Sequence, residues 1–371
     1  MNKKKDIIFF LPNFSEGGAG KSIVKICNGL NRSKFRPAIF CIGNCYYKNI
    51  LRKDTKIFEL KIQKTLFSFF EIIKILEKNF NKNNTIFISN MNYANALSCI
   101  FIKILINYKL ILIERTPLKE LYTYYGFIDY LKKKIIYFVM KNFYKFSDLV
   151  ILNSQFTQNQ FKQKIKCKNL SIYSPSIDKI YFSSFNKNKI ETKKNKLRIL
   201  SIGRLSVEKR FDLLIKSMKY LKNTNVSLNI IGNGPEYSNL NFIVNQNSLQ
   251  KIVKIEKFNK NYKNYFKKYD LFISSSDFEG FPNIVVEALN HNLYIISRNS
   301  GGGIFNILLN GKIGKIIDTN DPKVFAQQIC KFLKNIKYYQ GNEKLVKKHL
   351  KKFTSKIIID KFNFILQKSR L

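Results

Sequence analysis

Short apolar runs alternate with helical segments along this chain, and this alternation constrains the fold more than any other feature of the sequence. Residues 6–11 form the first apolar run. Further runs in the first half lie at 38–42, 57–60, 85–89, 110–113, 147–152 and 171–173. Helical periodicity fills the intervals between them, notably at 21–30, 65–80 and 91–107. The alternation predicts an α/β fold in which a parallel sheet carries helices on both faces.

The same pattern begins again after residues 176–196, a stretch rich in Lys, Asn and Ser that has no sustained apolar periodicity. Apolar runs in the second half lie at 197–202, 228–231, 252–255, 271–273, 294–297 and 313–317. A length of 371 residues is enough for two domains, each with its own core. The sequence therefore predicts two α/β domains, residues 1–180 and 181–354, joined by a solvated linker.

The chain is strongly basic, because 66 Lys and Arg residues outnumber 24 Asp and Glu residues and give a net charge of +42. Such an excess attracts polyanions: nucleic acids, anionic membranes or phosphorylated substrates. Lys, Asn, Ile, Phe and Tyr are all abundant while Trp is absent, a bias that an AT-rich genome would also produce. Function and genome composition are both possible sources of the charge.

The six cysteines are scattered, and only Cys41 and Cys45 lie close together in the sequence. No second pair or nearby His completes a zinc-binding set, so we expect reduced thiols and no metal site. The apolar run that follows the basic N-terminal segment is too short for a signal peptide. Lysines interrupt the other apolar runs, so no membrane span is expected. These features predict a cytoplasmic protein.

A glycine-rich loop at residues 12–20 follows the first predicted strand and precedes a helix. Its GGAGKS ending fails the Walker A pattern because position 15 is Ser, and the dinucleotide-binding pattern fails because position 23 is Ile. Two explanations remain for these glycines. Either they serve only the turn, or they let the backbone approach a phosphate or an acceptor.

Glu114 and Arg115 follow the predicted strand at 110–113, at the edge where ligands bind in open α/β sheets. Glu114 would accept a substrate proton or hydroxyl as a catalytic group, and Arg115 would pair with it or with a phosphate. The alternative is an ordinary surface ion pair at a strand end.

Residues 131–146 form a basic, aromatic segment of helical character, LKKKIIYFVMKNFYKF. Two interpretations fit this composition. The segment is a core helix with a solvated lysine face, or it is an amphipathic element that lies on a membrane surface.

Residues 274–289, SSSDFEGFPNIVVEAL, predict a strand end, a tight loop and a helix N-terminus, with Asn283 as the N-cap. The N–H groups at a helix N-terminus suit a phosphate or a sugar. Glu279 in the loop and Glu287 on the helix would accept hydrogen bonds from hydroxyl groups. The alternative is that both glutamates are solvated surface charges.

Two further turns follow strands in the second half and so share the sheet edge of this loop. GRLSVEKR contains Gly203, Arg204 and Lys209, and IGNGPE follows the strand at 228–231. Arg204 and Lys209 supply two cations for a diphosphate, as a bidentate guanidinium and a point charge. Taken alone, they are surface basic residues in a lysine-rich chain.

Together these strings resemble the signature of retaining glycosyltransferases of family 4, including the seven residues between Glu279 and Glu287. The GGA loop near the N-terminus resembles a loop of the same family. The resemblance covers nearly the whole chain and implies the GT-B fold, in which two Rossmann-like domains face each other across a cleft. In that fold the second domain mainly holds a nucleotide-sugar donor and the first mainly holds the acceptor. The C-terminal helix, here about 355–371, usually packs back on the first domain.

The resemblance also implies a role for each matching residue. Arg204 and Lys209 would neutralise the diphosphate leaving group in place of a metal, so neither a cofactor nor a metal is expected. Glu287 would accept the ribose hydroxyls, and Glu279 would hold a hydroxyl of the donor sugar. Further contacts to the substrate would come from the backbone at Gly17, Gly18, Gly203, Phe281, Asn283 and Ile284.

The implied reaction moves a sugar, with retention of configuration, from a nucleotide sugar to a glycan or a polyprenyl-diphosphate-linked acceptor. UDP is the expected nucleotide. The expected setting is the synthesis of surface polysaccharide, lipopolysaccharide or capsule, with the protein peripheral on the cytoplasmic face of the inner membrane.

Two other functions fit parts of the sequence. A GT-B enzyme that is not a transferase, such as a nucleotide-sugar epimerase, would use the same donor site. A nucleic-acid-binding protein would explain the net charge of +42. Most Tyr and Phe residues, however, lie in apolar periodic runs that we expect to be buried in a core. Their burial disfavours a nucleic-acid interface.

Overall fold

The computed structural model describes residues 4–14, 17–184, 197–222, 224–259, 261–334 and 343–368. The chain divides into two compact units, Met1–Asp178 with Phe353–Leu371, and Lys179–Lys352. Residues 185–196 of the predicted linker lie outside the described residues.

The first unit is built on a parallel sheet of seven strands. In chain order they are β1 Lys5–Phe10, β2 Phe35–Ile42, β3 Lys56–Leu60, β4 Thr85–Asn90, β5 Lys109–Glu114, β6 Leu149–Leu152 and β7 Asn169–Ser171. Their order across the sheet is β3-β2-β1-β4-β5-β6-β7, and all neighbouring pairs are parallel. Five helices connect them: α1 Gly18–Gly29, α2 Thr65–Asn79, α3 Asn92–Ser98, α4 Phe127–Phe143 and α5 Gln155–Lys164.

The second unit has a parallel sheet of six strands. They are β8 Leu197–Ile202, β9 Val226–Ile231, β10 Val253–Glu256, β11 Leu271–Ser274, β12 Tyr294–Arg298 and β13 Lys315–Ile317, in the spatial order β10-β9-β8-β11-β12-β13. Its helices are α6 Phe211–Met218, α7 Tyr237–Gln246, α8 Lys263–Phe266, α9 Asn283–Asn290, α10 Ile304–Ile307, α11 Pro322–Lys334 and α12 Glu343–Leu350.

The last helix, α13 Ser355–Lys368, belongs to the first unit. Its Ile358 and Phe362 enter the same core as Ile23 of α1, on one face of the first sheet. The opposite face is covered by α2, α4 and α5. Alternate residues of β1 supply the two cores, because successive side chains of a strand point to opposite faces.

Several helix boundaries differ from the sequence prediction. Helix α1 begins at Gly18, inside the glycine loop, since the Lys21 N–H already bonds to the Gly17 carbonyl at 3.1 Å. Helix α3 ends at Ser98 and continues as π-helix over Cys99–Leu105. Helix α4 begins at Phe127, directly after Gly126, whose φ of 125° is a conformation that glycine adopts readily.

The cysteines and the helices can be compared with what the sequence predicts about thiols and membrane spans. All six cysteines fall within the described residues and are free thiols, four of them buried. Among the helices that the structure describes, none has the length and apolar character needed to cross a membrane.

Candidate functional site

Strands β8 and β11 are neighbours in the second sheet, so the turns that follow them meet at its carboxyl edge. The Ser275 hydroxyl donates to the Lys209 carbonyl at 2.8 Å, and the Asp277 N–H donates to the Glu208 carbonyl at 2.8 Å. These bonds fix the turn that carries Lys209 against the loop that carries Glu279. The turn after β8 contacts the loop after β11 because the two strands pair in parallel and end at the same edge of the sheet.

Lys209 and Glu279 form an ion pair at this edge. The Lys209 ammonium donates to Glu279 Oε1, and the Ser276 hydroxyl donates to the same oxygen at 3.0 Å. Both side chains are about one-fifth exposed, at 23% and 18%. The sequence predicts contacts of the two residues with different parts of a donor, and it does not predict that they bind each other.

Arg204 is held by a carboxylate that sequence reasoning missed. Its Nη2 donates to Glu208 Oε1 at 2.7 Å, and the Ser206 hydroxyl donates to the same oxygen at 2.6 Å. Burial alone would raise the pKa of Glu208, but the hydrogen bonds from Arg204 and Ser206 lower it, so the carboxylate stays charged. The Arg204 side chain is still 69% exposed and can meet an anion from solution.

A buried cluster lies beneath this edge. Arg298, at the end of β12, donates from Nη1 to Asp277 Oδ1 and from Nε to the Thr319 carbonyl at 2.9 Å. Arg210 approaches the same Asp277 oxygen at 3.3 Å. Burial would lower the pKa of Arg210, but Asp212 and Asp277 raise it, so Arg210 remains cationic beside Asp277. The cluster ties Arg210, next to Lys209, to the loop of Glu279.

A glycine turn supports the Glu279 loop from behind. The Glu279 N–H donates to the Ser300 carbonyl at 3.0 Å, and the Gly303 N–H donates to the Gly280 carbonyl at 2.7 Å. Gly302 has a φ of +58°, and a Cβ there would lie 2.0 Å from the Glu279 carbonyl oxygen. Glycine is required at this position by both backbone conformation and space.

The predicted N-cap of α9 is wrong. The helix begins at Asn283, the capping position is Pro282, and no side chain caps it. Asn283 and Ile284 are therefore its first two helical residues, at the end of the helix where the N–H groups point outward along the axis. Phe281 precedes them with a buried side chain. The positions expected to contact a sugar or phosphate through their backbone thus lie at the helix N-terminus.

Glu287 projects from the middle of α9 and is 9% exposed. The Tyr262 hydroxyl donates to Glu287 Oε2 at 2.6 Å, in a buried hydrogen bond. Sequence reasoning missed Tyr262, because nothing in its local pattern marks it. Glu287 is thus a positioned, buried carboxylate, which excludes its interpretation as a solvated surface charge.

Gly203 lies where β8 leaves the sheet. A Cβ on Gly232, which follows β9, would lie 2.0 Å from the Gly203 carbonyl oxygen. The glycines of the GRLSVEKR and IGNGPE strings therefore allow their two turns to approach closely.

In the first unit, Gly17 precedes α1 and its backbone is bound by one side chain. The Gly17 N–H donates to the Tyr47 hydroxyl at 2.9 Å, and that hydroxyl donates to the Gly17 carbonyl at 3.0 Å. A Cβ on Gly17 would meet no atom within 4 Å, and its φ of 165° is extended backbone. Neither crowding nor backbone strain in the described structure requires glycine at 17. Gly18 is the first residue of the helix.

Glu114 ends β5 in the first unit and is 1% exposed. Its carboxylate accepts hydrogen bonds from the Tyr144 hydroxyl at 3.0 Å, the Thr116 hydroxyl at 3.1 Å and the Asn95 amide at 3.3 Å. Burial raises its pKa to about 7, although these hydrogen bonds oppose the shift. The surface ion pair considered from the sequence is wrong, because Glu114 is buried.

Arg115 points its guanidinium at Asn90 rather than at the neighbouring carboxylate. Its Nη2 donates to Asn90 Oδ1 at 3.1 Å. Burial lowers the pKa of Arg115 to about 10, which leaves it cationic at neutral pH. Asn90 and Asn153 hold it in place, since the Asn153 amide donates to the Arg115 carbonyl at 2.8 Å.

Comparisons with known proteins agree with this geometry. Residues 182–349, just under half of the chain, match the family model described as "Glycosyl transferases group 1". An uncharacterized glycosyltransferase of Methanocaldococcus jannaschii is 33% identical over 48% of this chain and 46% of its own length. A Campylobacter jejuni relative is 25% identical over 76% of this chain and 75% of its own. It is named N-acetylgalactosamine-N,N'-diacetylbacillosaminyl-diphospho-undecaprenol 4-alpha-N-acetylgalactosaminyltransferase.

The fold also has close structural counterparts. Anabaena HepE, solved in complex with UDP and glucose, superposes with a TM-score of 0.76 at 16% identity, over 98% of this chain and 99% of its own. The two parallel sheets with their helices match that structure. The predicted GT-B fold, with two Rossmann-like domains, is therefore confirmed.

Proposed function

Because residues 182–349 match the family model described as "Glycosyl transferases group 1" and the chain has the GT-B fold, we propose that the protein is a retaining glycosyltransferase. Its donor is a nucleotide sugar, with UDP as the nucleotide. Its acceptor is a glycan or a lipid-linked sugar in the synthesis of surface polysaccharide.

A group of charges at the carboxyl edge of the second sheet supports this proposal most strongly. Arg204 and Lys209 follow β8, and the N-terminus of α9 follows β11, which pairs with β8. Negative charge develops on the nucleoside diphosphate as the glycosidic bond breaks. Fixed cations and helix N–H groups stabilise that charge where it appears, without rearrangement. In this proposal the two side chains fill the role that a metal ion has in other transferases.

The ion pair of Lys209 with Glu279 has a function in this scheme. A diphosphate competes with Glu279 for the Lys209 ammonium, because both are anions that accept its hydrogen bonds. The carboxylate released from Lys209 then accepts a hydroxyl of the donor sugar. A complete donor, with both diphosphate and sugar, thus satisfies both partners, whereas a free nucleotide leaves Glu279 without its cation.

Glu287 completes the donor site. One of its oxygens accepts the Tyr262 hydroxyl, which leaves Oε1 to accept the ribose hydroxyls. The fixed side chain loses little rotational freedom on binding, so the contact favours nucleotides that carry a ribose. In the first unit, a Cβ added at Gly17 would meet no atom within 4 Å, so the backbone at this position is accessible to a substrate.

A lipid-linked acceptor is supported by the Campylobacter relative, whose name specifies a diphospho-undecaprenol acceptor. A UDP donor is supported by the HepE complex with UDP and glucose. An acceptor carried on a polyprenyl diphosphate would bring the reaction to the cytoplasmic face of a membrane.

The test is donor hydrolysis by the purified protein across a panel of nucleotide sugars. We expect slow hydrolysis of one donor, with Lys209→Ala and Glu287→Ala each reducing it at least about a hundredfold. Lys216→Ala and Glu343→Ala, on helices α6 and α12 of the same unit, serve as matched controls. Full activity in both site variants would overturn the assignment. An altered nucleotide sugar formed without any acceptor would indicate an epimerase instead.

A further inference from the structure

Helix α4 in the first unit has an apolar face on each of two sides. Ile136 and Met140 point inward and belong to the core beneath the sheet. The outward face carries a second apolar row at the helical spacing i, i+3, i+7 and i+10. Its members are Ile128, Leu131, Ile135 and Phe138, which are 83%, 45%, 64% and 62% exposed. We call this row the outer stripe.

Lysines border the outer stripe. At 3.6 residues per turn, Lys132 falls on one side of it, and Lys134 and Lys141 fall on the other; all three are exposed. Asp129 is the single acidic residue of the helix and forms an ion pair with Lys133. The Lys133 Nζ donates to the Asp129 carboxylate at 2.7 Å and to the Thr123 carbonyl at 2.7 Å. The outward face of α4 is therefore apolar and cationic.

Neighbouring elements extend this surface. Helix α2 contributes the exposed side chains of Leu66, Phe67 and Phe70, and the π-helical segment contributes Ile104 and Leu105. The Phe70 and Phe101 rings meet edge to face at 5.8 Å and join α2 to that segment. Both elements pack their inner sides into the same core as α4, so their exposed residues lie in the same helical layer.

We propose that the outer stripe of α4, with Lys132, Lys134 and Lys141, docks this protein on an anionic lipid bilayer. The helix would lie in the plane of the interface, with its apolar row among the acyl chains and its lysines extended to the headgroups. Charge complementarity favours an anionic bilayer as the partner of this surface. A second copy of the chain would oppose its own lysines across a symmetric contact, whereas anionic headgroups neutralise them.

This inference deepens the proposed function, since a lipid-linked acceptor resides in a bilayer, and it rests on that function for its biological setting. Its test needs neither donor nor acceptor. A protein that binds vesicles but hydrolyses no nucleotide sugar would overturn the proposed function alone. A protein that hydrolyses a donor but does not bind vesicles would overturn this inference alone.

The first experiment is flotation of the full chain with vesicles of phosphatidylcholine alone or mixed with phosphatidylglycerol. We expect binding to the mixed vesicles that weakens as salt is added. Lys134→Gln with Lys141→Gln should lower the partition coefficient about 25-fold, since each lysine near an anionic surface contributes about fivefold. Ile128→Ser with Ile135→Ser should lower it about tenfold or more.

Matched controls exist in the second unit. Lys219→Gln with Lys222→Gln removes the same charge, and Phe242→Ser removes a side chain as exposed as that of Phe138, at 62%. These variants should bind vesicles as the parent protein does. Equal losses in the controls, or no loss in the α4 variants, would overturn the proposal. Circular dichroism and denaturant unfolding of each variant report whether it has folded.

The second experiment uses the absence of tryptophan from the chain. Phe138→Trp places the single indole on the outer stripe, and Phe242→Trp places it on the control surface. Anionic vesicles should shift the emission of the first variant to the blue and expose it to quenching by brominated lipid, while the second stays unchanged. An unshifted Phe138→Trp spectrum would contradict docking. A blue shift that depends on protein concentration without vesicles would show a second copy on the stripe and would overturn the proposal.

Discussion

The Lys209 ammonium and the Glu279 carboxylate form an ion pair between residues 70 positions apart in the sequence. The pair joins the turn after β8 to the loop after β11, and Ser276 donates to the same carboxylate oxygen. Ser275 adds a hydrogen bond to the backbone of Lys209. The cation proposed for the diphosphate and the carboxylate proposed for the sugar therefore hold each other at the sheet edge. Replacing either residue has a distinct consequence.

Glu279→Gln should separate recognition of the nucleotide from recognition of the sugar. The amide cannot hold the Lys209 ammonium as a carboxylate does, so Lys209 is freer to bind a diphosphate. We expect UDP affinity to be unchanged or higher, while turnover of the intact donor falls about tenfold to a hundredfold. Calorimetric titration with UDP and a donor-hydrolysis assay measure the two quantities. A loss of UDP affinity as large as that of Lys209→Ala would refute this division of roles.

Asp277→Ala should be among the most destabilising substitutions in the second unit. It leaves the buried Arg298 without its carboxylate partner and also removes a partner of Arg210. Uncompensated buried charge costs about 3–5 kcal/mol of unfolding free energy. The control Lys254→Ala removes an exposed lysine that pairs with Glu256 and should destabilise the protein far less. Denaturant unfolding compares the two, and equal effects would show that the Asp277 cluster is not structurally important.

Gly17→Ala should reduce use of the donor without reducing stability. The added Cβ meets no atom of the protein within 4 Å, and the extended backbone suits alanine. We expect unfolding free energy within about 0.5 kcal/mol of the parent and a several-fold higher KM for the donor.

The matched control for Gly17 is Gly126→Ala, because φ at Gly126 is +125° and no atom crowds that position either. Backbone strain should cost it about 1–3 kcal/mol while the KM for the donor stays unchanged. If Gly17→Ala instead lowers stability and leaves KM unaltered, the glycine serves only the turn.

Glu114 predicts a pH dependence of stability. Its pKa is raised to about 7 in the folded protein, chiefly by burial, from a reference value of 4.5. Between these values the folded state binds more protons than the unfolded state, so this group lowers stability as pH rises from about 4.5 to 7, and the loss persists above 7. Glu114→Gln removes the titration. The unfolding free energy of the variant relative to the parent should therefore rise over that window, by about 3 kcal/mol at most. A constant difference would contradict this account.

The strands were predictable from sequence because buried parallel strands are short, apolar and bounded by turn residues. Every predicted run matches a strand of the structure, with shifts of a few residues such as β7 at Asn169–Ser171. The loop of Glu279 was predictable for the same reason, since a strand end and a helix start bracket it. The start of α4 was not predictable, because its first residues, Phe127 and Ile128, are 74% and 83% exposed and have no core-facing periodicity.

The partners of the site residues were not predictable. Tyr262 lies 25 positions from Glu287, and Asp277 lies 67 positions from Arg210. Contacts between residues so far apart in the chain produce no periodic pattern in the sequence. A chain with 66 basic residues also offers many possible partners for each carboxylate. One signal was available: Arg298 stands at the end of an apolar strand, where a buried cation requires a buried acid.

In the proposed function, the carboxyl edge of the second sheet binds a nucleoside diphosphate through Arg204 and Lys209. Calorimetric titration of UDP into the parent protein, Arg204→Ala, Lys209→Ala and the control Lys219→Ala, with a chelator present throughout, tests it most directly. We predict that the parent and Lys219→Ala bind UDP equally in the chelator, and that each site variant binds about tenfold more weakly or worse. Equal affinity in all four proteins, or binding by the parent that requires a divalent metal, would contradict the account.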